Sequence, residues 1–135
     1  MDDACCFEKS PAHNYCYKHQ CENTTLEVAK YLELKDGSYS TTFQSRVSIL
    51  GNWLKPYTDK TISSFAEKGF KEIAIVTPAF ISDCLETLEE IGMEAAEDFE
   101  EKGGKKLHVI PCINDREDWV KVLSRWIDEW ALESV

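Results

Sequence analysis

Asp83, Glu86, Glu90, Glu94 and Glu97 recur at three- and four-residue steps, so at about 100° per residue they share one side of a helix. Carboxylate oxygens in such a row are hard ligands that pass a divalent cation along while it sheds water, and each is also a proton acceptor. A row of acids equally serves as a plain solvated helix face. Position favours chemistry at the start of the row. Ser82-Asp83-Cys84-Leu85-Glu86 follows closely on the strand-like run Ile73-Ala74-Ile75-Val76, and in an open α/β sheet ligands bind beyond the carboxyl ends of the strands.

A second group lies near the start of the chain: Cys5, Cys6, His13, Cys16, His19 and Cys21. Thiolates and imidazoles hold zinc or an iron-sulfur cluster, although these spacings match no familiar zinc pattern. Cys84 and Cys112 complete the set of six cysteines and fall in the globular part, so metal ligation or simple thiols suit this chain better than a disulfide framework.

The elements that must position these residues follow an αβαβαβα order. Leu26, Ala29 and Leu32 give a helix over 24–34, and Lys35-Asp36-Gly37-Ser38 turns the chain into a strand over 39–43. A helix begins near Pro56, buries Ile62, Phe65 and Ala66, and stops at Lys68-Gly69. The β-branched run 71–77 reads as a strand covered on both faces. A helix over 82–101 carries Leu85, Leu88, Ile91, Ala95 and Phe99 opposite the acids and closes at Gly103-Gly104. A strand over 107–110 and a helix over 115–130, capped by Asn114-Asp115, complete the order.

This order predicts an α/β Rossmann-like three-layer domain over 22–135, after a cysteine-rich segment 1–21. Its sheet is mainly parallel, with three or four strands, and Phe43, Val76 and Ile110 stand near adjacent strand ends. No glycine-rich phosphate loop follows any strand, which removes the main support for nucleotide binding. With 25 acidic against 15 basic residues the formal charge is -10, and no nucleic-acid partner is expected. No run approaches the roughly 18 to 20 apolar residues of a membrane span, and Met1-Asp2-Asp3-Ala4 does not begin a secretory signal, so a cytoplasmic location is expected.

Ser82-Asp83-Cys84-Leu85-Glu86-Thr87-Leu88-Glu89-Glu90-Ile91, with Phe43-Gln44-Ser45-Arg46 upstream and Pro111-Cys112-Ile113-Asn114-Asp115 downstream, resembles the C-terminal half of ferrochelatases. These lyases insert ferrous iron into a porphyrin to make haem. The resemblance runs from about residue 14 to 128 and implies the chelatase-like fold. It places Glu86 as the essential catalytic glutamate and Asp83, Glu86 and Glu90 as the metal set. Phe80 and Trp53 then contact the porphyrin, although Ser48 replaces the family's usual glycine in the loop before Trp53. Cys84 occupies a position that is histidine in some members, and it also reads as a buried structural thiol. Arg46 reads either as half of an ion pair or as a ligand contact.

The resemblance further implies Fe2+ and a porphyrin as substrates. A subclass with a [2Fe-2S] cluster would use Cys5, Cys6, Cys16 and Cys21. The expected partner is the N-terminal ferrochelatase domain, which carries a catalytic histidine; His13 and His19 lie too close to Tyr17-Lys18-His19-Gln20 to replace it. Peripheral membrane association is compatible with this picture. The alternative is a non-catalytic tetrapyrrole- or metal-binding module that keeps the fold, and a flavodoxin-like domain is a weaker third reading.

Overall fold

The computed structural model describes residues 5, 8, 10–46 and 53–133. The chain divides into two units, Met1–Ile62 and Ser63–Val135. Ser48 and Cys6 lie outside the described residues.

In the first unit a short 3-10 turn, Pro11–Asn14, starts where the Ser10 hydroxyl accepts from the Ala12 N–H at 3.2 Å. It leads into α1 (Tyr17–Tyr31), which begins seven residues before the expected start at 24. The first turns are polar and bury nothing, so hydrophobic periodicity carries no signal there. Ala29 is the one buried residue of α1, and the expected boundary at 21/22 falls inside this helix.

The expected strand over 39–43 shrinks to one parallel bridge between Phe43 and Tyr57. Phe43 N–H donates to Pro56 O at 2.9 Å, and Thr58 N–H donates to Phe43 O at 3.1 Å. The neighbouring threonines bond through side chains instead, Thr41 to Thr25 at 2.8 Å and Thr58 to Thr42 at 2.9 Å. Such side-chain bonds compete with a strand ladder. Only Phe43 of the segment is buried. Helix α2 (Thr58–Glu67) begins just after Pro56 and buries Ile62 and Ala66 of its expected apolar face, while Phe65 is half-buried.

The second unit is built on β1 (Glu72–Ile75) and β2 (Lys106–Val109), paired in parallel with Ile73 beside Leu107 and Ile75 beside Val109. The parallel sense matches the expectation; among the described residues the sheet has two strands rather than three or four. Strand β1 alternates exposed and half-buried positions instead of being covered on both faces. The helix α4 (Glu117–Glu133) has the expected apolar periodicity but buries no residue.

The helix between the strands departs most from its expected form. Its first part, Glu86–Ala95, is a π-helix that runs on into α3 (Ala96–Glu101). A π-helix bonds i to i+5, so its turn is wider than 3.6 residues and positions four apart nearly align. The buried line is accordingly Thr87, Ile91, Ala95 and Phe99, while Leu85 and Leu88 of the expected stripe are exposed.

The helix ends as expected at Gly103, which has φ +97°, the left-handed conformation that glycine adopts without strain. At Gly104 an added Cβ would collide with the fully buried Phe99 ring. Gly104→Ala is therefore expected to cost about 1–3 kcal/mol of stability through overpacking. Urea denaturation checks this, and an unchanged midpoint would contradict it.

Candidate functional site

The acids sit where the wide turn puts them. Glu86, Glu90 and Glu94 form a line directly beside the buried line of Thr87, Ile91 and Ala95, not opposite an apolar stripe as predicted. Glu86 and Glu90 are consequently half-buried, while Glu94 and Glu97 are exposed. A carboxylate at the margin of a core is partly shielded from water, which strengthens its attraction for a cation.

Asp83 precedes the helix. Its Oδ1 accepts from the Thr87 hydroxyl at 3.0 Å and the Cys112 N–H at 3.3 Å, and its Oδ2 accepts from the Asn114 amide at 2.7 Å. The Asp83 N–H in turn donates to Asn114 Oδ1 at 2.9 Å. Asn114 is thus engaged with Asp83 and does not cap α4 as the sequence suggests. Asp118 serves that helix start instead, accepting from the Trp119 N–H at 3.1 Å. A buried Thr87 ties the turn further, its hydroxyl lying 3.0 Å from the Cys84 N–H and 3.1 Å from Cys84 O.

These contacts set the charges. The Asn114 amide, followed by the Cys112 and Thr87 donors, holds the Asp83 carboxyl below its ordinary range against partial burial. The Cys84 thiol, then the residue's own N–H, lowers Glu86. Both carboxyls are ionised at neutral pH. Burial raises the Cys112 thiol, whose Sγ lies 3.5 Å from the Thr77 hydroxyl.

A carboxyl lowered on folding stabilises the folded state above its unfolded value and loses that contribution as pH falls through the folded value. Stability measured from pH 7 downward should therefore fall steeply below about pH 4, and Asp83→Asn should flatten that fall. Identical pH profiles for the two proteins would contradict the network.

Phe80 is half-buried in the turn after β1, where its N–H donates to Thr77 O at 2.9 Å. Trp53 belongs to the first unit; its indole N–H donates to Gln44 O at 3.0 Å, which fixes the ring beside the Gln44-Ser45-Arg46 segment. Arg46 stacks over the Tyr57 ring, with Cζ 5.2 Å from the centroid, a cation-π contact that neither reading of the sequence included.

Near the start of the chain His13 and His19 stack with centroids 3.6 Å apart, and His13 Nε2 lies 2.7 Å from Cys5 O. A hydrogen bond to Cys21, then burial, raises the Tyr17 hydroxyl. Among the described residues no three Cys, His, Asp or Glu side chains gather as a metal site. That holds for Cys5, Cys16 and Cys21 and equally for Asp83, Glu86 and Glu90, and Cys6 is not described.

The ferrochelatase family model matches residues 7–131. The chain belongs to the ferrochelatase family. It is 44% identical over 117 residues to the ferrochelatase of Bdellovibrio bacteriovorus, covering 87% of this chain and 35% of that protein. It is 42% identical over 124 residues to the ferrochelatase of Pseudomonas syringae pv. syringae, covering 92% and 36%. The Legionella pneumophila ferrochelatase is 44% identical over 114 residues, covering 84% and 34%. The chain spans about a third of the length of these ferrochelatase relatives. No described helix is long and apolar enough to cross a membrane.

Proposed function

We propose that this chain supplies the glutamate side of a ferrochelatase, inserting ferrous iron into a porphyrin in haem biosynthesis together with the remaining portion of the enzyme. The observation that carries this reading is the half-buried Glu86 at the start of the π-helix, within a segment that matches the family throughout. In the reaction iron(II) binds four pyrrole nitrogens, two N–H protons leave, and no electron is transferred. Glu86, already ionised, accepts one pyrrole proton, which a carboxylate in contact distance can do directly, and the second leaves to solvent water. Glu90 extends the delivery path by one turn, and Asp83 is the third acid of the set, ahead of the helix. Phe80 packs on the flat macrocycle, where an aromatic face gives a large contact area.

This reading places the protein in the cytoplasm, with a peripheral membrane surface available for an apolar porphyrin. The test is complementation of a bacterial strain lacking its own ferrochelatase, with the chain fused behind the upstream portion of a relative. Growth without added haem is expected. Absence of growth, with the fusion stably expressed, would favour a non-catalytic tetrapyrrole- or metal-binding module.

A further inference from the structure

The loops that leave β1 and β2 are joined by a reciprocal pair of side chains. Asn114 accepts from the Asp83 N–H at 2.9 Å and returns its own amide N–H to Asp83 Oδ2 at 2.7 Å and to Cys112 O at 3.2 Å. Its backbone N–H donates to Ile81 O at 2.8 Å. Asn114 holds φ 52°, a left-handed conformation that asparagine tolerates better than other residues with a Cβ. The other Asp83 oxygen takes the Cys112 N–H and the Thr87 hydroxyl, and Thr87 is 2% exposed. Glu86 lies between Cys84 and Thr87, whose mutual bonds close the turn that carries it.

We propose that Asp83 and Asn114 are positioning residues, a clamp that fixes Glu86 by locking the start of its helix onto the loop after β2. The inference rests on the catalytic reading of Glu86 and changes what Asp83 contributes to it. Both oxygens of Asp83 are engaged by three donors of the protein, so taking up an incoming cation would compete with bonds that hold the turn. Asp83 therefore acts on iron insertion through geometry, and displacing a reacting group by about 1 Å costs on the order of 100-fold in rate.

The test compares Asp83→Asn, Asn114→Asp and the double exchange in the fusion described above. Asp83→Asn sets an amide against an amide, and Asn114→Asp sets a carboxylate against a carboxylate, so each single change should lower kcat about 10- to 100-fold. The KM for Fe2+ should stay within about twofold, since uniform binding is untouched. The double exchange restores one donor facing one acceptor and should recover most of kcat. A double variant no better than the worse single one overturns the clamp. So does Asp83→Asn raising the KM for Fe2+ while Asn114→Asp is near neutral, which would make Asp83 a ligand of the ion.

Amide hydrogen exchange in the 135-residue chain gives a readout independent of activity. The Asp83 and Cys84 amides should exchange faster in both single variants and recover in the double one. Unchanged exchange overturns the clamp whatever the activity. Full activity of Glu86→Gln would instead overturn the catalytic reading and leave the exchange result untouched, so the two failures are distinguishable.

Discussion

Glu86→Gln in the completed enzyme is expected to lose iron insertion by on the order of 10²–10⁴-fold, the range that one positioned proton acceptor supplies. Glutamine keeps the shape and hydrogen-bonding length of the side chain but cannot take a proton at neutral pH. The Cys84 thiol, first, lowers the Glu86 carboxyl, so that it is ionised at neutral pH. It is half-buried rather than core, so the variant should still fold cooperatively, as checked by circular dichroism. Full iron insertion by a folded Glu86→Gln protein would remove this residue from the chemistry.

The second large effect concerns the chain by itself. It spans about a third of the length of its ferrochelatase relatives, and a cleft that encloses a porphyrin needs walls on both faces of the macrocycle. Unaided, the chain is expected to insert iron no faster than the uncatalysed background, followed spectrophotometrically as metalloporphyrin forms. Fused to the upstream portion of a relative it should turn over at rates in the ordinary enzyme range of about 1–10³ s⁻¹. Robust turnover by the chain alone would mean that the division of labour proposed above is wrong.

The parts of this architecture that rest on apolar runs and glycine stops were legible in the sequence. Strands β1 and β2, their parallel pairing and the helix end at Gly103 all fall where periodicity and turn chemistry put them. Elements decided by polar side chains were not. Thr41 and Thr42 diverted a strand-like segment into side-chain bonds, and the polar start of α1 has no stripe to read.

The π-helix was hidden for a related reason. At 3.6 residues per turn the spacing sets the acids opposite the core, whereas the wider turn sets Glu86 and Glu90 at its edge. The types of the site residues were visible, but their bonding was not. Asn114 reads as a helix cap because asparagine before a helix usually is one. Its pairing with Asp83, 31 residues away, exists only in three dimensions.

The central claim is that the half-buried acids at the start of this helix do the chemistry and the exposed ones do not. The most direct measurement is kcat for ferrous iron insertion by Glu86→Gln, Glu90→Gln and Glu94→Gln in the same fusion. A graded series is expected, with Glu86→Gln losing at least about 100-fold, Glu90→Gln an intermediate loss, and Glu94→Gln within about twofold of the parent. Equal, small losses at all three positions would contradict it and return the row of acids to the role of a solvated surface.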